Sequence, residues 1–217
     1  MEVKLLTSTT SIHDMEQFAA IAALTCHGNA DKEFVASDVL KRIIKAGHES
    51  VLEHITLTYS VKNLSRACLQ ELARHRHISL SVESTRHTLW KVFDSWETLD
   101  DAPESPEGIN DYPDIYGIYG SLRHFYLSEL RRLSRLRRLS SGWSVPNDKL
   151  KYYLPEFWPT NLILTSNIRE LRHIIKLRTA PAALEEFRDL AYRLYHTVPE
   201  EYRYLLEDCV YKKEDER

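Results

Sequence analysis

Glycine is scarce in this sequence, with 6 among 217 residues, and none sits in a GxGxxG or P-loop pattern. Any nucleotide must therefore be held by side chains and helix ends rather than by a glycine-rich turn. Cysteine is scarcer: Cys26, Cys68 and Cys209 are odd in number, far apart and form no CxxC pair. A reduced, cytoplasmic protein is the expectation. No apolar run approaches the ~18–20 residues of a transmembrane helix, so no membrane partner is expected. The opening MEVKLLTSTTSIHD lacks the basic-then-apolar pattern of a signal peptide. Neither sign of charge dominates, with 29 basic against 32 acidic residues, and nothing marks the chain as a binder of nucleic acid polymer.

What is present suits one compact domain or two small ones, with 43% hydrophobic residues and no internal repeat. Residues 14–25 and 34–46 read as amphipathic helices, the second stopped at Gly47. HITLTYSVKNL then alternates, with Ile55, Leu57, Tyr59 and Val61 opposite Thr56, Thr58 and Ser60, as a half-buried strand does. Ser65 could cap a helix through RACLQELARH, with Cys68, Leu69 and Leu72 inward. Residues 98–113 are acidic and proline-rich and read as a surface loop or linker. A long helix over 114–140 carries leucines every third residue between arginines, either an RNA- or phosphate-binding face or a solvated one. A short strand near 161–165 leads to a helix capped by Asn167, with Ile168, Leu171, Ile174 and Ile175 inward. Pro181 suits the first turn of a last helix with the stripe Leu184, Phe187, Leu190 and Leu194. The fold class is α+β, helices packed on a small sheet.

Three motifs invite chemistry. GHESVLEH suggests zinc, but His48 and His54 are six apart, roughly 240° round a helix, where HExxH needs four. The turn that replaces this reading leaves Glu49 and Glu53 without a role. Ser84 with His75 or His87 imitates a hydrolase pair without a GxSxG elbow, and Cys68 falls on an apolar stripe. The segment LARHRHISLSVESTRH is the third: Arg74, Arg76 and Arg86 stand among His75, His77 and His87, with Glu83 its only acid and no lysine. Arginine is favoured over lysine where planar, bidentate contact with phosphate or a heterocycle edge matters. Residues 74–86 thus read as the wall of a pocket for an anionic heteroaromatic ligand, or as a structural network.

RHRHISLSVES is Arg74-His75-Arg76, seven residues, then Ser84, and it resembles the RHR-x7-S signature of the flavin-dependent thymidylate synthases, the ThyX family. GHESVLEHITLTYSVKNLSRACLQELARHR is similar to that family's GHxSxxEH…SRA…RHR run, and STRHTL to its STRYT continuation. LPEFWPTNLILTSNIRELRHIIKLRTAPAALEEFRDLA resembles its LP…TxNxRxLxxxxxLR…E[IF]RxLA segment. The resemblance covers most of residues 35–95 and 150–195.

It implies a single catalytic domain over 1–217, with a small antiparallel sheet flanked by helices, in a homotetramer with shared active sites. The 12 tyrosines and 4 tryptophans would give such contacts aromatic surface. It implies FAD reduced by NADPH, a methylene from methylenetetrahydrofolate, and methylation of a uridine monophosphate at C5, with no enzyme cysteine attacking the pyrimidine. By resemblance, Ser50, Glu53, Arg74, His75, Arg76, Asn167, Arg169 and His173 would hold the flavin. Glu71, Ser84, Thr85, Arg86, Lys151 and Arg178 would hold the nucleotide, with Ser84 and Arg178 as catalytic residues and Arg178 favouring ionisation at N3. This sequence departs from the common family pattern at Glu71 (usually Gln), Ser81 and Val82 (often Asn and Glu), Lys151 (usually Arg), His173 (often Asn) and Ala182 (His in some). These changes surround the nucleotide, so dUMP and UMP both stand as substrates, beside a non-catalytic flavin- or nucleotide-binding protein.

Overall fold

A computed structural model describes residues 1–6, 11–94, 128, 132, 146–154, 156 and 158–212. Its elements in chain order are β1 (Glu2–Leu6), α1 (Ile12–Thr25), α2 (Ala36–Lys45), β2 (Thr56–Ser65), α3 (Arg66–Leu72), β3 (Ile78–Val82), α4 (Thr85–Asp94), α5 (Asn147–Leu150), β4 (Pro159–Asn167), α6 (Ile168–Arg178) and α7 (Glu185–Thr197). Short 3₁₀ turns occupy Glu49–His54, Lys151–Tyr153, Glu200–Leu205 and Glu207–Cys209. The chain falls into two compact units, one of residues 2–62, 68–81 and 162–217, the other of residues 1, 63–67 and 82–161. The acidic 98–113 loop lies outside the described residues. So does the 114–140 helix apart from Ser128 and Arg132, both helical.

The first unit is built on an open antiparallel sheet of order β1-β2-β4-β3. β1 pairs antiparallel with β2 from Glu2↔Lys62 to Leu6↔Thr58. The two-residue period of a pleated strand buries Leu57, Tyr59 and Val61 of β2, as the alternation predicts. Strict alternation would bury Asn63 next. Its left-handed φ of 58° reverses the parity instead, and Leu64 is the buried residue. β4 runs longer than the expected 161–165 and buries Thr160, Leu162, Leu164 and Ser166. On the opposite face the hydroxyls of Thr58 and Thr165 are 3.0 Å apart.

α1 packs on α2, whose end at Ala46 and Gly47 (φ +73°) is the left-handed stop expected. α6 begins at Asn167, whose Oδ1 accepts from the Glu170 N–H at 2.8 Å. Ile168, Leu171, Ile174 and Ile175 are each at most 1% exposed, and burial of such side chains is worth about 2 kcal/mol apiece as an upper estimate. α7 starts at Glu185, not at Pro181, and Leu184 stays 45% exposed outside the stripe of Phe187, Leu190 and Leu194. Ala183 N–H donates to the Ala180 carbonyl at 3.0 Å, so Pro181 is the second residue of a β-turn. Proline's fixed φ serves that position as well as it serves a helix start.

In the second unit, α4 follows Ser84, whose carbonyl accepts from the N–H groups of His87 (2.9 Å) and Thr88 (3.0 Å). Asn147 Nδ2 donates to the Arg86 carbonyl at 2.9 Å and ties α5 to α4. The first amides of α3, those of Arg66 and Ala67, donate to the carbonyls of Trp158 and Glu156 at 3.1 and 2.9 Å.

Candidate active site

α3 ends at Leu72, three residues short of the helix expected through His75, and a turn closes it: His75 N–H donates to the Leu72 carbonyl at 3.0 Å. That turn divides the three consecutive cations. Arg74 and Arg76 face solvent, while His75 is 6% exposed. The imidazole meets the Phe187 ring edge to face at 5.8 Å and the His173 ring at 5.6 Å. Its Nδ1 is 3.2 Å from Oε1 of Glu170, and its Nε2 accepts from Arg178 Nε at 3.3 Å. Burial pushes the His75 pKa down; the Glu170 hydrogen bond opposes this and the Arg178 charge adds to it, leaving it below the ordinary histidine value.

Arg178, at the end of α6, has two further anchors. Its Nη1 lies 3.3 Å from the Glu71 carboxylate, and its guanidinium stands 4.5 Å from the Phe187 ring centroid. Nη2 makes no hydrogen bond to the protein among the described residues, and the side chain keeps 16% of its surface exposed. The result is a cation fixed on three sides and open at one corner.

The N-terminal half of α6 lines a cleft of about 710 Å³ with the 3₁₀ turn 49–54 and His77. Arg169 pairs with Glu53 at 2.5 Å. Arg172, its side chain 4% exposed, donates to both oxygens of Asp208 (2.7 and 2.6 Å), to Glu49 (3.0 Å) and to the Leu205 carbonyl (2.6 Å). The two glutamates of GHESVLEH thus serve α6 as ion-pair partners. His173 and Lys176 are exposed on the same helix, and Ser50 is exposed in the turn.

Glu170, Arg172 and Asp208 were not anticipated as functional or structural residues. The signals for the first two were present: Asn167 and Glu170 have the spacing of a capping box, and Arg172 falls inside the apolar stripe of α6, where a cation needs a partner. Asp208 has no such signal, lying 36 residues from Arg172.

Ser84, Thr85, Arg86 and Lys151 lie in the second unit. Arg86 is 64% exposed with Nε 3.1 Å from Asp148, and the Lys151 ammonium stands 5.7 Å from the Tyr152 ring. Glu71, His75, Glu170, His173 and Arg178 are the residues gathered in the first.

His75, Glu170 and His173 bring three metal-type ligand atoms within 4.8 Å, but the Arg178 guanidinium on His75 opposes a dication there. None of the three cysteines forms a disulfide. Burial pushes the Cys68 thiol far up and that of Cys209 up to about 11, so neither is a thiolate nucleophile.

Residues 4–202 match the family model described as thymidylate synthase complementing protein. A flavin-dependent thymidylate synthase of Campylobacter jejuni is 37% identical over 187 residues, spanning 86% of this chain and 84% of that one. The enzyme of the same name from Wolinella succinogenes is 36% identical over 205 residues, spanning 92% and 97%. Among solved structures, Helicobacter pylori ThyX with FAD and dUMP superposes with a TM-score of 0.78 at 31% identity, covering 98% of this chain and all of that one. With His75 of the arginine-histidine knot folded against α6 and the match running through both units, the chain belongs to the flavin-dependent thymidylate synthase family of enzymes.

Proposed function

We propose that this protein converts dUMP to dTMP by FAD-dependent methylation at C5, with methylenetetrahydrofolate as carbon donor and NADPH as reductant. The anchored Arg178 guanidinium with its open Nη2 carries this reading. A pyrimidine that loses its N3 proton becomes an anion, and a fixed cation beside it favours that form without a proton transfer. Because Glu71, His75 and Phe187 already hold the guanidinium, little reorganisation is needed when the charge develops.

FAD, when bound, supplies the redox centre for the hydride. The cleft suits such a ligand: about 710 Å³ lies within the roughly 300–1,000 Å³ of cofactor sites, and His77, Arg169, His173 and Lys176 offer donors to a pyrophosphate. Ser50, Glu53, Arg74, His75, Arg76, Asn167, Arg169 and His173 would hold it. Asn167 uses Oδ1 as the helix cap and keeps Nδ2 for a ligand. His75, with both ring nitrogens already bonded, would offer only its ring surface. Glu71, Ser84, Thr85, Arg86, Lys151 and Arg178 would hold the nucleotide. The exposed Arg86–Asp148 pair is of the kind that gives way readily to a phosphate. The buried, protonated thiols of Cys68 and Cys209 accord with a route that uses no cysteine nucleophile.

We read residues 1–217 as one catalytic domain in a homotetramer with shared sites, supported by the family match across both units. A cytoplasmic setting accords with three thiols outside any disulfide. The reading is tested by supplying purified protein with FAD, NADPH, methylenetetrahydrofolate and equal dUMP and UMP, and weighing the products by mass spectrometry. Thymidylate alone is expected. Methylated UMP would reassign the substrate, and no methylated product would remove the reaction.

A further inference from the structure

We propose that Glu170 is a positioning residue, which holds Arg178 in place through His75 by keeping the imidazole proton on Nδ1. The inference rests on the role given above to Arg178.

Glu170 and Arg178 stand eight residues apart on α6, about 12 Å along its axis, too far for direct contact. His75 spans that gap from another segment, with Nδ1 3.2 Å from the carboxylate and Nε2 3.3 Å from the guanidinium Nε. Arginine Nε always bears a hydrogen and has no acceptor function. Nε2 of His75 must therefore present its lone pair, and in a neutral ring the proton then sits on Nδ1, where it donates to Glu170. The opposite tautomer would set two N–H groups against each other at one end and a lone pair against a carboxylate at the other. A doubly protonated ring would face the guanidinium with a second positive charge.

The carboxylate is committed to this task. Glu170 is only 9% exposed, and a carboxylate so placed is costly unless paired. At the third position of α6 it could close a capping box on Asn167, yet it reaches His75. Among the described residues no other carboxylate faces His75 to take the Nδ1 proton: Arg178, His173 and Phe187 are its remaining partners there. Without Glu170 the ring is free to reverse, and Arg178 loses the one acceptor its Nε has among the described residues.

The test is nitrogen NMR of the intact, ¹⁵N-histidine-labelled protein, with His75 identified by loss of its signal in His75→Asn. The neutral Nδ1–H tautomer is expected in the wild type, and an Nε2–H signal there would overturn the proposal without any variant. Glu170→Leu should shift the ring toward Nε2–H and lower kcat about 100-fold, the scale set by misplacing a catalytic group. Glu170→Gln keeps an oxygen that accepts from Nδ1–H and should recover most of kcat. Equal kcat in Glu170→Leu and wild type would sink the positioning role. An Nδ1–H ring in a protein that methylates no nucleotide would overturn the proposed reaction, and with it the catalytic half of this inference, while the hydrogen-bond relation stood.

Discussion

Glu71 sets a carboxylate 3.3 Å from Nη1 of Arg178, at a position where the family more often carries a neutral glutamine. The pair is half open to solvent, Glu71 being 40% exposed, and ion pairs of that kind contribute about 1 kcal/mol or less. Glu71→Gln should therefore change kcat/KM for dUMP by less than about fivefold. Steady-state kinetics with dUMP would check this, and a hundredfold loss would mean that the charge itself takes part.

Arg178→Ala removes the open guanidinium corner but leaves every cleft residue of α6 in place. Methylation should vanish while the purified protein keeps its flavin absorbance. Activity equal to wild type would take Arg178 out of the mechanism.

Asn167→Ala deletes the acceptor for the Glu170 amide and should cost about 1 kcal/mol, which in a chain of this size lowers Tm by about 2–4 °C. Asn167→Asp, which keeps the acceptor, should restore most of it. Thermal unfolding without ligands separates this effect from any contact with flavin. An unchanged Tm in Asn167→Ala would rule out the cap.

Arg172→Met should destabilise by on the order of 3 kcal/mol, because it strands the carboxylates of Glu49 and Asp208 and the Leu205 carbonyl. Acid offers a second check. Burial alone would raise the Asp208 pKa, but the hydrogen bond and charge of Arg172 outweigh it and hold it below the usual carboxylate value. A carboxylate depressed in the folded state stabilises above its unfolded pKa, about 3.9, and loses that contribution as pH falls through the folded value. The stability gap between wild type and Asp208→Asn should be full at pH 7 and close below about pH 4. Denaturant titrations across that range would show it, and a gap that widened in acid would contradict the ion pair.

Local order was written in the sequence because it depends on neighbours along the chain. The Asn167 cap, the stripe of Ile168, Leu171, Ile174 and Ile175, the alternation of Leu57, Tyr59 and Val61, and the Gly47 stop each follow from helix or strand periodicity and backbone sterics. Even the splaying of Arg74, His75 and Arg76 follows, since three consecutive side chains cannot share a face. Pro181 misled because one fixed φ serves two local structures.

Which polar groups meet was decided elsewhere. His75 finds Glu170 across 95 positions and Arg178 across 103, and Arg172 finds Asp208 across 36. Periodicity reports which face of an element is buried, but it carries no term for the partner that a buried charge will meet. The sequence alone determined α1, α2, α6 and the core of β2 and β4, together with the arginine-histidine knot and the family it resembles. Only the tertiary structure decided that the middle histidine turns inward, between a carboxylate and a guanidinium, because only packing brings the turn after α3 close enough to α6 for one imidazole to bond both groups.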